Sequence, residues 1–301
     1  MEHLRKELES VLGEGQVLQN EPLGRHTTFR VGGSADLFVS PDILQLPKVM
    51  EIVSAYNVPV TVIGNGSNLL VGDRGIRGVV IEIGRRMGAI SVDGESVTAQ
   101  AGALLSRVAG EAYKNGLSGL EFAAGIPGST GGAMVMNAGA YGGEMKDVTV
   151  RVKALSGDGN ILNLDAAQMD FSYRHSCVAE RGYLVLEAVF LLQKADPERI
   201  LSRMEELKEQ RVSKQPLEYP SAGSTFKRPQ GYFAGKLIMD AGLAGFTIGG
   251  AQVSPKHCGF VINRGNAKAA DVLAVIRHVQ KTVRAQFGVE LEPEVRMLGE
   301  F

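Results

Sequence analysis

The chain reads as an α+β protein, and three features of its 301 residues predict that class. Short apolar stretches with period-two alternation and hairpin turns recur through the first two-thirds. Two glycine-rich loops interrupt them. A long, heavily charged helical stretch then precedes a C-terminal portion with strand and helix patterns of its own.

Leu4, Leu8, Val11 and Leu12 fall at helical spacing, which predicts a helix over residues 3–12 ended by Gly13. The polar stretch 20–35 follows, with strands expected around Gly32 and Gly33. Residues 43–56 predict a helix with Pro47 near its first turn, and 59–63 a short apolar strand. Residues 64–75 form a glycine loop. Strands are expected over 78–83, 89–92 and 96–100, the last two joined through Asp93-Gly94. A helix over 104–114 ends at Asn115-Gly116. Val148, Val150, Val152 and Ala154 alternate with polar residues, as in a half-buried strand, and the turn at 156–159 leads back into 160–164. Another strand is expected over 183–192.

Pro197 suits the first turn of a helix that extends to residue 212, with Ile200, Leu201, Met204 and Leu207 on one face. Beyond it come helices over 232–241 and 269–286, a strand over 258–263, and an alternating tail from 289 to 298 that reads as a strand.

The first glycine loop, Gly64-Asn-Gly-Ser-Asn-Leu, starts like a dinucleotide fingerprint, but Leu69 replaces its third glycine. No long amphipathic helix follows, so the Rossmann reading is rejected and a phosphate turn is retained. The second, residues 122–143, holds seven glycines from Gly125 to Gly143 with little charge among them. Such density predicts close backbone approach to a ligand, a phosphate above all, with Ser129 and Thr130 as added hydroxyls. The apolar residues Ala123, Ile126, Met134 and Val135 argue against a solvated linker.

Composition limits the function classes. Net charge is −1 without a basic block, which gives little support to nucleic-acid or anionic-membrane binding. Residues 1–9 lack the apolar core of a secretion signal, and no run is long enough to span a bilayer, so a cytoplasmic location is expected. The two cysteines, Cys177 and Cys258, are far apart and the five histidines are scattered. Reduced thiols and no metal centre are expected.

Four segments could carry chemistry. Residues 171–177 group Tyr173, Arg174 and Cys177, and an arginine there suits a carboxylate clamp. Residues 219–229 set Ser224 after Gly223, an exposed hydroxyl able to give a proton if a neighbouring charge supports it. Glu292-Pro-Glu294 offers a carboxylate for acid–base work. His257 precedes an apolar strand, where a structural role is the ordinary expectation. Each alone is also what a surface loop carries. Together they suit a redox enzyme that holds a nucleotide cofactor in one unit and a substrate in another.

These segments match a known family. The chain resembles the UDP-N-acetylenolpyruvoylglucosamine reductases nearly end to end. The marks are residues 20–33, Ile63-Gly-Asn-Gly-Ser-Asn-Leu-Leu70, Gly125-Ile-Pro-Gly-Ser-Thr-Gly-Gly-Ala133, Ser172-Tyr-Arg174, Ala222-Gly-Ser-Thr-Phe-Lys227, Ile248-Gly-Gly-Ala251 and Leu291-Glu-Pro-Glu-Val-Arg296. The resemblance implies a vanillyl-alcohol-oxidase-type, PCMH-like FAD-binding domain over residues 1–196, with subdomains of about 1–84 and 85–196. It implies a substrate-binding domain over 197–301 whose last strand returns to the first unit.

The resemblance further implies non-covalent FAD held through Gly64, Asn65, Gly66, Ser67 and Asn68, and through Gly125, Pro127, Gly128, Ser129, Gly131, Gly132, Asn137 and Gly139. NADPH is the implied hydride donor and UDP-N-acetylglucosamine enolpyruvate the acceptor, in a ping-pong reaction of peptidoglycan precursor synthesis. By the same resemblance Arg174 lies near the enolpyruvyl carboxylate, Ser224 gives the proton, and Glu294 rather than Glu292 is the catalytic acid. Tyr173, Arg211, Lys214, Lys236 and His257 are its implied substrate contacts. The short span between Tyr173 and Ser224 matches the family's shorter class. Arg228 replaces an asparagine of longer members and His257 a glutamine. A monomer without nucleic-acid or membrane partners is expected.

Overall fold

In the computed structural model, which describes residues 1–301, strands and helices alternate in short runs, and the longest helices are Pro197–Lys214 and Ala269–Phe287. The chain divides into two units, neither of them continuous in sequence. One comprises residues 1–18, 37–65 and 79–211, the other 19–36, 66–78 and 212–301. Residues 197–211 thus group with the first unit, and two earlier segments group with the C-terminal portion.

In the first unit, five antiparallel strands lie in the order Ile161–Asp165, Thr149–Leu155, Leu184–Leu191, Ser96–Gln100, Ile90–Asp93. The expected hairpin at Asp93-Gly94 is present, with Asp93 opposite Ser96. Strand Leu184–Leu191 is central, and Val185, Leu186, Ala188 and Phe190 are buried on both faces, which is why its sequence is a nearly unbroken apolar run. Residues 37–39, 60–63 and 79–82 of this unit belong to a four-stranded sheet of order Val17–Pro22, Ser34–Val39, Ile76–Glu82, Val60–Ile63, the last pair parallel with Val60 opposite Val79. Helix Glu2–Leu12 buries Leu4, Leu8 and Leu12. Helix Leu46–Ala55 starts later than the periodicity predicts, because Asp42 accepts from the amides of Leu44 and Gln45 and holds a turn there instead.

The second unit has a separate core. Strands Thr247–Ile248, Ala251–Val253 and Val261–Asn263 form an antiparallel sheet. Helix Ala269–Phe287 contributes a fully buried stripe of Ala269, Val272, Val275, Ile276, Val279 and Val283 to that core. Each buried valine or isoleucine contributes on the order of 1.5–3 kcal/mol. Asp73, remote in sequence, caps this helix by accepting from the Ala269 and Ala270 amides at 2.8 and 2.9 Å. Gly288 closes it in the left-handed region.

One expectation fails locally. The tail is a strand only over Arg296–Leu298, which pairs in parallel with Leu69–Val71, Arg296 opposite Leu69. Residues 289–295 form only a bridge, Phe226 opposite Pro293, flanked by the Lys227–Glu292 and Glu294–Thr225 backbone bonds, with Leu291 and Val295 buried in the unit's core. Within the glycine stretch, Thr130–Met136 is helical although Gly131 and Gly132 disfavour a helix.

Candidate functional site

The two glycine loops, far apart in sequence, meet in the first unit. Asn65 donates from Nδ2 to the Pro127 carbonyl at 2.6 Å. A Cβ added to Gly64 would lie 2.7 Å from Ser129 Oγ, so glycine there lets the Ser129 hydroxyl keep its position against the first loop. Ser129 stands just before helix Thr130–Met136 in an extended conformation, yet its hydroxyl does not cap that helix. The side chain is 3% exposed and its oxygen has no hydrogen-bond partner. A buried hydroxyl left unpaired costs about 1–3 kcal/mol, so its retention points to a polar ligand.

Other groups of the stretch are committed elsewhere. The Thr130 and Gly131 amides donate to the Ala103 and Ala101 carbonyls at 2.8 and 2.7 Å. Glycine at 131 and 143 permits close packing on Ala101 and on the Phe122 ring. Part of the glycine density therefore serves chain-to-chain contact rather than a ligand. Gly125, Pro127 and Gly132 remain exposed. Asn137 is buried in the left-handed region, φ +41°, with its side chain fully engaged. It donates to Glu144 Oε2 at 2.9 Å and to the Ser172 carbonyl at 3.1 Å, and accepts from the Lys146 amide.

That bond to Ser172 leads to Arg174. Ser172 and His175 exchange backbone hydrogen bonds around a tight turn, and Arg174 occupies the turn at φ +56°. For a non-glycine residue this conformation costs about 1–3 kcal/mol, and such strain gathers at functional sites. The Arg174 guanidinium lies 5.1 Å from the Tyr173 ring centroid. Lys146 beside Glu144 draws its carboxyl below the usual range, helped by the Asn137 bond and by the positive field of Arg174.

Arg211, on helix Pro197–Lys214, packs against Gly125, where an added Cβ would meet its guanidinium at 3.2 Å. Burial pushes this guanidinium below the usual arginine range, and the only electrostatic neighbour it finds is Tyr141. A half-buried cation that pairs with no carboxylate is costly to keep unless something else offsets its lost hydration.

The second unit brings Ser224 and Glu294 onto neighbouring segments. Phe226 bridges Pro293, the Glu294 amide donates to the Thr225 carbonyl at 2.8 Å, and the Lys227 amide donates to the Glu292 carbonyl at 2.8 Å. Ser224 is exposed and Glu294 half-buried. Asn68 donates from Nδ2 to the Glu294 carbonyl at 3.1 Å and accepts from the Arg296 amide at 3.0 Å. The first glycine loop thus continues into a strand that runs directly beside Glu294. Gly66 in that loop lies on the 26–28 segment, where Thr28 donates its amide to the Gly66 carbonyl while its own hydroxyl has no partner. In the sequence Thr28 is one residue of a motif and carries no role of its own; only its unpaired oxygen draws notice to it.

Of the remaining expected contacts, Lys236 is paired with Asp240 at 2.8 Å and Lys214 is exposed at the end of its helix. Arg228 stacks over Phe233, 4.0 Å from the ring centroid. His257 accepts from the Gly259 amide at Nδ1, which leaves its proton on Nε2, and burial lowers its pKa. Cys177 and Cys258 are buried free thiols pushed up by desolvation.

Comparison with known proteins places the chain in a family. Residues 36–165 match a family described as FAD binding domain. Residues 215–298 match the family described as UDP-N-acetylenolpyruvoylglucosamine reductase, C-terminal domain. The chain is 58% identical over 297 residues to the UDP-N-acetylenolpyruvoylglucosamine reductase of Agathobacter rectalis, with 95% of each chain covered. It is 52% identical to that of Lachnoclostridium phytofermentans, covering 98% of this chain and 97% of the relative. A crystal structure of UDP-N-acetylenolpyruvylglucosamine reductase (MurB) from Thermus caldophilus superposes with a TM-score of 0.81 at 35% identity, covering 94% of this chain and 98% of that one. At 16% identity, a variant of Phl p 4, a glucose oxidase, shares the fold with a TM-score of 0.52 over 65% of this chain and 44% of its own. The fold is therefore the α+β, PCMH-like FAD-binding architecture joined to a C-terminal reductase domain. The chain belongs to the UDP-N-acetylenolpyruvoylglucosamine reductase family.

Proposed function

We propose that the protein reduces the enolpyruvyl group of UDP-N-acetylenolpyruvoylglucosamine to give UDP-N-acetylmuramate, with non-covalent FAD as cofactor and NADPH as reductant. Family membership supports the flavin-dependent reduction, and the unpaired Ser129 hydroxyl where the two glycine loops meet is the observation that carries the cofactor assignment. Gly64, Asn65, Pro127, Gly128 and Ser129 would hold the FAD pyrophosphate in unit one, with Gly66, Ser67 and Asn68 continuing the same loop. When bound, FAD supplies two-electron transfer between NADPH and the substrate alkene.

The chain's own residues do the rest. Arg174, held on its strained turn, pairs with the enolpyruvyl carboxylate and stabilises the charge that reduction drives onto it. Ser224 gives its hydroxyl proton to the reduced carbon skeleton, a step typically worth about 10²–10⁴-fold. Glu294, on the segment beside Ser224, acts as a catalytic acid. Arg211, half-buried and free of any carboxylate, takes a phosphate of the nucleotide, with Tyr173, Lys214, Lys236 and His257 as further contacts. No helix is long and apolar enough to cross a membrane, and a cytoplasmic monomer in peptidoglycan precursor synthesis fits this reading.

Purified protein is expected to be yellow and to bleach with NADPH under anaerobic conditions. Added enolpyruvyl nucleotide then restores the oxidised spectrum faster than air does. Stopped-flow traces of Ser224→Ala should show flavin reduction near the parent rate and enolpyruvyl reduction slowed by about 10²-fold or more. Equal slowing of both half-reactions would remove Ser224 as the proton donor, and a colourless protein that binds no FAD would remove the whole assignment.

A further inference from the structure

We infer that Thr225 is a positioning residue, whose buried hydroxyl sets Ser224 in register with Glu294. The inference rests on the reading of Ser224 and Glu294 given above. Thr225 is 0% exposed and every polar group it carries is bonded. Its amide donates to the Gly259 carbonyl at 2.8 Å, its carbonyl accepts from the Glu294 amide at 2.8 Å, and its Oγ1 accepts from the Val261 amide at 2.9 Å. One residue thus binds Gly259 and Val261 on one side and Glu294 on the other. Ser224 is its immediate neighbour and shares its backbone.

The remaining bonds of the site do not replace it. Beyond residue 225 the segment is bridged to Pro293 through Phe226 and to Glu292 through the Lys227 amide. Before it, Ala222 is buried in the core and the Pro220 carbonyl accepts from the Asn263 amide at 2.9 Å, but Gly223, at φ +75° with nothing within 4 Å of an added Cβ, separates that anchor from Ser224 by a flexible joint. Glu294 is held from the far side, where Asn68 grips its carbonyl. Ser224 itself is exposed and has no comparable anchor. The Thr225 hydroxyl therefore supplies the side-chain tie between the proton donor's backbone and strand Val261–Asn263, whose three residues are all buried. Without it, the Val261 amide loses its acceptor in the core and the register of the Ser224 turn loosens. Displacements of about 1 Å at such a site cost on the order of 10²-fold in rate.

Three variants test this, assayed as FAD-loaded protein by anaerobic stopped flow with NADPH and with the enolpyruvyl nucleotide. Thr225→Val keeps shape and removes the acceptor. It should slow enolpyruvyl reduction about 10–100-fold, chiefly in kcat, and leave flavin reduction by NADPH within about twofold. Thr225→Ser keeps the hydroxyl and should restore most of the lost rate. Should Thr225→Val fail to fold, Thr225→Cys, with a weak acceptor of similar size, carries the same comparison against Thr225→Ser. Parent-like enolpyruvyl reduction in Thr225→Val, or a Thr225→Ser as slow as it, overturns the positioning role. Ser224→Ala run alongside keeps the two readings apart. If it slows neither half-reaction, the assignment of the proton donor fails first.

Discussion

Gly66 offers a quantitative check on how the first glycine loop is held. Its φ is +61°, and a Cβ added there would lie 1.9 Å from the His26 carbonyl oxygen and 2.9 Å from Thr27 Cα. Gly94 is a matched control, at φ +60° in an exposed hairpin turn with nothing within 4 Å of an added Cβ. Alanine at either site pays the same left-handed backbone penalty, about 1–2 kcal/mol. At Gly66 the methyl also strikes backbone, which cannot swing away as a flexible side chain would. Forcing an added methylene into a packed site costs a further 1–3 kcal/mol or so. Gly66→Ala should therefore lower stability by about 2–5 kcal/mol, against about 1–2 for Gly94→Ala. Denaturant midpoints of FAD-free protein measure this difference. Because the clash would lift the loop from the 26–28 segment, Gly66→Ala should also lose FAD on gel filtration, and Gly94→Ala should keep it. Equal midpoints and equal FAD retention in the two variants would refute the docking of this loop on His26 and Thr27.

Further outcomes follow from other observations. Ser129→Ala removes a buried hydroxyl that bonds to nothing in the chain; FAD-free stability should stay level or rise by up to about 1 kcal/mol, while FAD affinity in a fluorescence titration falls roughly tenfold or more. An affinity unchanged by the substitution would separate Ser129 from the cofactor. His257 carries a pKa lowered by burial, so the unfolded chain takes its proton first as pH falls. Its contribution is intact above the ordinary histidine pKa of about 6.5 and is lost as pH drops from there through the folded value; the stability–pH curve of His257→Gln should be flatter across that window than the parent's. Cys177 and Cys258 are buried with raised pKa values, so maleimide at pH 8 should add no mass to the native protein and two labels after denaturation. Rapid native labelling would contradict their burial.

Much of this protein is legible in its residues. Period-two and period-3.6 patterns identify the five-stranded sheet's hairpin, helix Glu2–Leu12 and the buried stripe of helix Ala269–Phe287, because burial of one face is a local, repeating demand on sequence. Glycine density likewise signals close backbone approach, since only a missing Cβ permits it. What approaches is a different matter. At Gly64 it is the Ser129 hydroxyl, at Gly66 the 26–28 segment, and at Gly131 strand-adjacent Ala101. One compositional signal thus covers a candidate ligand cradle and ordinary packing, and a linear pattern cannot tell them apart. Helix Thr130–Met136 escapes propensity for a related reason, as its first amides are satisfied by the Ala101 and Ala103 carbonyls.

The residue types that could do chemistry were visible one by one, but not their relations. Tertiary structure alone sets Arg174 in a strained turn tied to Asn137, leaves the Ser129 hydroxyl unpaired, and lays Thr225 between Gly259 and Glu294. Strand Arg296–Leu298 lies beside Leu69–Val71 across more than two hundred residues of chain, and Asp73 caps a helix that begins at Ala269. Sequence specifies which side chains are apolar, charged or absent, because those demands are local. Which hydroxyl is orphaned, which cation lacks a counter-ion and which carbonyl meets which amide depend on long-range closure of the chain, and that is a property of the folded whole.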